Sequence, residues 1–163
     1  MTKILTLIFF IIVTGCGFKA VNLSETNNFS ISEITSTGDK KINYIIKNKL
    51  ISNTNNNSIE KLKLTIDSVK TKTIKERNIK NEITKYKVSV AVLVNVNSII
   101  KDNSNKISIT EDGEYNVDLQ NATNRNKEKN LIKSLSQKIT NKILNEINNY
   151  LNDLYLKLNR RKH

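Results

Sequence analysis

One thiol, one imidazole and two clusters of charge are the side chains of this 163-residue sequence that bear most directly on chemistry. Cys16 is the only Cys, so no intrachain disulfide can form, and no zinc or iron–sulfur site can be built from thiolates. The only His is His163, at the last position, where it is poorly placed to activate a Ser or Thr nucleophile. With four Gly and no Pro, the chain also lacks a glycine-rich loop to cradle phosphates. The expected reading is therefore not an enzyme, with no cofactor and no metal site. A hydrolase assembled from distant Ser, Asp and Glu groups is the enzymatic alternative, and it lacks a usable base.

The setting of Cys16 carries the clearest chemical instruction. Met1-Thr2-Lys3 precedes an almost wholly apolar run from Ile4 to Val13, and Thr14-Gly15-Cys16 follows. That is a charged start, an apolar stretch and a small-residue cleavage site, the layout of an export signal. The run is too short for a bilayer-spanning helix, which needs roughly twenty apolar residues. Val13-Thr14-Gly15-Cys16 resembles the bacterial lipobox, in which small residues expose the bond before a Cys already thioether-linked to diacylglycerol. Acyl chains contribute about 0.8 kcal/mol per buried CH₂, so lipidation at Cys16 implies durable anchoring. Gly17 follows the Cys where an inner-membrane retention signal would place Asp, which makes the outer membrane, facing the periplasm, the expected address.

The second feature is charge. Lys and Arg number 27 against 15 Asp and Glu, a formal net charge of +12. Such a surface favours anionic partners, although the Lys, Asn and Ile preferences of an AT-rich genome produce the same composition. The cations are densest at Lys70, Lys72, Lys75, Arg77, Lys80, Lys85 and Lys87, which a hairpin would gather at one end. They are candidate phosphate ligands, or else a solvated hairpin tip. A nucleic-acid partner is not expected, because export removes the chain from that ligand and Phe or Tyr are not regularly interleaved with the basic run, Tyr86 being its one aromatic residue. Glu111, Asp112 and Glu114 form the only acidic cluster, read as a turn in preference to acid–base chemistry or a Ca²⁺ site. Asn22-Leu23-Ser24 and Asn121-Ala122-Thr123 match glycosylation acceptors, as chance provides in an Asn-rich chain.

The elements that must position these groups follow from apolar spacing. Residues 1–15 form the signal and 16–27 a lipidated tether. Residues 28–158 form a single domain, and 159–163, with Arg160-Arg161-Lys162, a basic tail. Phe29, Ile31 and Ile34 mark a first strand over 28–35, and Ile42, Ile45, Ile46 and Leu50 a helix over 39–52. Leu62, Leu64 and Ile66 define a second strand whose parity shifts to Val69, Thr71 and Thr73, predicting a bulge at Asp67-Ser68. Tyr86, Val88, Val90, Val92, Val94 and Val96 share one face of a third strand. Asp102 to Asn105 reads as a turn and 106–118 as the last strand, unless Asp112-Gly113 splits it into a small hairpin. Leu131, Leu135, Ile139, Ile143, Ile147, Tyr150, Leu154 and Leu158 then form the stripe of a long helix, expected to break or overhang near Asn148-Asn149. The predicted fold class is α+β, a two-layer sandwich with two helices on one face of a four-stranded antiparallel or mixed sheet (β-α-β-β-β-α).

The lipobox, its continuation as Cys16-Gly17-Phe18 and this element order together resemble the lipopolysaccharide-assembly lipoprotein family, LptE. Family members often continue Pro-Leu-Tyr, where this chain has Lys19-Ala20-Val21. The resemblance spans most of the chain and rests on patterning. It implies a non-enzymatic lipoprotein that plugs the outer-membrane β-barrel LptD, assists its assembly, and contacts lipopolysaccharide in transit. Under that reading the lipopolysaccharide-binding candidates are the seven basic residues above. The alternative is a binding or pilot subunit of another envelope secretion complex.

Overall fold

The computed structural model describes residues 29–55, 58–99 and 103–160; Cys16 and the signal, the tether and residues 161–163 lie outside them. The chain runs β1 (Phe29–Gly38), α1 (Lys40–Ser52), β2 (Glu60–Arg77), β3 (Ile83–Ser98), β4 (Asn103–Asn116) and α2 (Asn121–Arg160). The strands lie in that same order in one sheet, with β1 parallel to β2 and the other pairs antiparallel. This is the expected two-layer α+β arrangement, with the sheet mixed.

The turn from β1 into α1 is set by Gly38, whose φ of +90° favours Gly and whose Cβ, if present, would lie 2.0 Å from the Ser68 carbonyl oxygen. Asp39 then caps α1, its carboxylate accepting from the backbone N–H of Lys41 and Ile42. Ile42, Ile46 and Leu50 from α1 meet Phe29, Leu62, Leu64 and Ile66 from the sheet, all of them buried. Each such side chain contributes roughly 1.5–3 kcal/mol of hydrophobic stabilisation.

Two expectations need correction. The β2–β3 ladder is continuous from Leu62↔Ser98 to Ile74↔Tyr86, and its irregularities fall between Ile74 and Arg77, not at Asp67-Ser68. The parity therefore never switches: Ser68, Lys70 and Lys72 stay on the helix side, and Val69, 55 % exposed, faces outward. The inner face changes from apolar to basic because α1 begins beside Ser68, with Asp39 N–H donating to the Ser68 carbonyl, so nothing from α1 covers β2 beyond that point.

The second correction concerns α2, which runs unbroken for 40 residues through Asn148-Asn149. At 1.5 Å per residue it is about 60 Å long, matching the length of the 18-residue strand β2 at about 3.3 Å per residue. Its buried arc is wider than one stripe. Ile132, Leu144 and Leu151 join Leu135, Ile139, Ile143, Ile147 and Leu154, because α2 packs on α1 as well as on β3 and β4. Leu131 and Tyr150 pack partly buried against this core, and the Leu158 side chain lies outside the described set. β4 starts earlier than expected, at Asn103, and runs through Asp112-Gly113 without a hairpin. Gly113 matters for packing: a Cβ there would stand 2.5 Å from Leu131 Cδ1 of α2.

Candidate functional site

The seven predicted basic residues sit at one end of the molecule, divided between two faces and the hairpin tip. Lys70 and Lys72 point to the helix side and both reach Glu128 of α2, at 3.4 Å and 2.7 Å. Lys72 Nζ also lies 4.1 Å from the Tyr86 ring centroid and 5.3 Å from that of Tyr115, whose hydroxyl donates to Glu128 at 3.2 Å. Burial opposes the Lys72 ammonium, but hydrogen bonds to Glu128 and Tyr115 outweigh it and hold its pKa above the ordinary value. The Lys72 hydrogen bond correspondingly depresses the Glu128 carboxyl. Lys72 is thus a surface cation held in place by Glu128 and the two tyrosines.

On the other face, Lys75 pairs with Glu114, Lys85 with Glu76 and Lys87 with Asp112. Hydrogen bonds from Lys87 and Ser89 lower the Asp112 pKa. The acidic trio is consequently neither a turn nor one cluster. Glu111 turns to the helix side and meets Lys142, while Asp112 and Glu114 engage lysines of the open face. Among the described residues, no group of three or more metal-ligating side chains comes together.

The tip itself is tightly built. Asn78 Oδ1 accepts from Lys80 and Glu82 N–H, Asn81 adopts φ +62°, and Arg77 Nη1 donates to the Asn81 carbonyl. Ile79 is fully exposed beside Lys80.

A second group of cations lies below the tip, where Lys70 meets basic residues that the sequence did not single out. A crevice of about 190 Å³ between the start of α1, β2 and the first turns of α2 is lined by Asp39, Lys41, Lys70, Arg125, Glu128 and Lys129. The Asp39 carboxylate is occupied by the α1 cap and Glu128 by Lys70 and Lys72. Lys41, Arg125 and Lys129 have no carboxylate partner among the described residues. A second crevice, of about 320 Å³, continues past Arg125 and Glu128 to Lys72, Tyr86 and Tyr115. The arrangement suits a phosphate group with a sugar or apolar body against the tyrosines. The i, i+4 spacing of Arg125 and Lys129 was the one sequence signal for it.

No family profile matches the sequence, and no curated protein does. Solved structures do. Rare lipoprotein B from Shewanella oneidensis superposes with a TM-score of 0.59 at 16 % identity, over 78 % of this chain and 98 % of that one. An uncharacterized lipoprotein B from Nitrosomonas europaea gives 0.56 at 15 % identity, over 84 % and 94 %. A minor lipoprotein from Acinetobacter baumannii gives 0.53 at 12 % identity, over 74 % and 93 %. At such identities the likeness is one of fold, and the fold is one that bacterial lipoproteins use.

Proposed function

We propose that this chain is an outer-membrane lipoprotein, cleaved before Cys16 and acylated on its thiol, that works without catalysis as partner of a large β-barrel of the LptD type and contacts lipopolysaccharide phosphates. The lipobox-like sequence and the fold shared with bacterial lipoproteins support the anchored address. The observation that carries the lipopolysaccharide contact is the set of cations without internal partners, Lys41, Arg125 and Lys129, beside Lys70, with Arg77 and Lys80 at the tip.

Geometry adds a direction. The tether joins the domain at Phe29, which pairs with Glu60, whereas the basic crevice and tip lie towards Arg77 at the far end of β2. β2 itself is about 60 Å long. The tip thus lies at the end of β2 opposite the tether's point of entry, a position that suits contact with phosphates of a transported lipid or with the lumen of a partner barrel.

Affinity purification from detergent-solubilised outer membrane tests this reading. A diacylated Cys16 at the mature N-terminus and a co-purifying barrel of the lipopolysaccharide-assembly class are the expected results, with periplasmic lipopolysaccharide accumulating on depletion. An unmodified thiol or an uncleaved leader would overturn it; a different secretion component in the complex would move the chain to the pilot-subunit role.

A further inference from the structure

A groove of about 560 Å³ runs along the outer edge of β1, at the opposite side of the sheet from β4. Its floor is the strand at Ser36, Thr37 and Gly38, and its wall is one stripe of α1 carrying Lys40, Asn43, Tyr44, Lys47 and Ile51. Among the described residues β1 pairs only with β2, so its other edge presents unpaired backbone groups.

Three observations bear on what fits there. Asn43 is only 5 % exposed, and its Nδ2 donates to the Thr37 carbonyl at 2.7 Å, which fixes the orientation of the amide. Its Oδ1 is buried as well, out of reach of solvent and without a donor, and the residue forms part of the groove wall. Tyr44 and Ile51 are 68 % and 55 % exposed, a large apolar area for side chains of an added strand. Lys40 and Lys47 have no carboxylate partner among the described residues, and the first turn of α1 contains no acidic residue. Because a helix N-terminus disfavours cations, Lys40 in particular is eased by a carboxylate from outside.

We propose that this groove binds an extended acidic peptide, which adds as a fifth strand along Glu33–Gly38, rests apolar side chains on Tyr44 and Ile51, and pairs carboxylates with Lys40 and Lys47. Main-chain pairing supplies the affinity and the helix stripe the specificity. Pairing is confined to the part of β1 beyond the irregularity between Ile31 and Glu33, so about five residues of the peptide are held. The site lies apart from the basic crevice and does not depend on the lipid anchor.

The test uses the full mature chain in detergent and a fluorescein-labelled peptide, Glu-Thr-Val-Thr-Glu-Thr-Val, whose Glu and Val side chains share one face of the strand, followed by anisotropy. Binding is expected, with Ser36 and Thr37 amides and the Asn43 side-chain amide shifting in NMR spectra. The double variant Lys40→Glu/Lys47→Glu is expected to weaken it at least about tenfold, and Tyr44→Ala about fivefold, both without loss of thermal stability, because Lys40 and Tyr44 are exposed, Lys47 is half-buried, and an acid replaces a cation at the start of α1. A control peptide with Pro in place of the first two Thr, which removes backbone donors and keeps both carboxylates, is expected not to bind. No binding at millimolar peptide, equal binding of the Pro peptide, or indifference to the charge reversal would overturn the proposal. A sedimenting dimer abolished by Tyr44→Ala would also overturn it, assigning the groove to a second copy of the chain.

Discussion

The two halves of β2 have the same alternation and opposite environments. From Glu60 to Ser68 every second side chain is buried; from Val69 to Arg77 none is. The first half lies between β1 and β3 beneath α1, and the second extends past the point where β1 and α1 meet at Gly38 and Asp39. Strand periodicity thus decides which way a side chain points, and the neighbouring element decides whether that direction is a core. One half holds the fold, while the other is left basic at little cost to it.

The largest effect that would break this division is Gly38→Ala. Its Cβ would collide with the Ser68 carbonyl in a backbone conformation L-residues rarely adopt, so a loss of more than about 3 kcal/mol, or failure to fold, is expected in denaturant titrations. Next comes a matched pair on one strand face: Ile66→Ala should cost about 2–5 kcal/mol and Ile74→Ala less than about 1 kcal/mol, since Ile66 is fully buried and Ile74 is 45 % exposed. Equal losses would show that the far half is core after all. Gly113→Ala should cost about 1 kcal/mol, because the Leu131 tip it meets can move.

The smallest effect is electrostatic and pH-dependent. The Glu128 pKa is depressed in the folded chain, so its contribution is fully present above its ordinary value of 4.5 and is lost as pH falls through the lower folded value. Glu128→Gln should therefore lower the melting temperature at neutral pH and flatten its decline between about pH 5 and pH 3. An unchanged acid profile would mean that the Lys72–Glu128 pair contributes nothing to folding.

Much of the fold was legible, and the reasons differ by element. The run Val88 to Val96 reads as a strand because its alternation has one interpretation, and α1 because its apolar spacing and Asp39 cap agree. β2 misled because an inner face was assumed to be apolar throughout; Lys70 and Lys72 on that face made Val69 look like a continuation of the core. Asn103 to Asn105 has turn composition but is held in β4 by pairing with Val96, Asn97 and Ser98. Asn148-Asn149 weakens a helix locally, yet Ile147 and Leu151 on either side are buried and keep α2 continuous. The crevice cations were hidden because Lys41, Lys70 and Arg125 come from three elements. Density of charge along the sequence pointed to Lys70 but otherwise mostly to lysines that fold into ion pairs, Lys72, Lys75, Lys85 and Lys87.

Calorimetric titration of lipopolysaccharide into the mature chain and its Lys41→Glu/Arg125→Glu/Lys129→Glu variant tests the central claim most directly, with Lys75→Glu/Arg77→Glu/Lys80→Glu measured alongside. The crevice reversal should weaken binding by at least about tenfold and reduce its salt dependence, at an unaltered melting temperature, while the tip reversal has a smaller effect. Unchanged affinity in both variants would contradict a phosphate-binding role for the basic half.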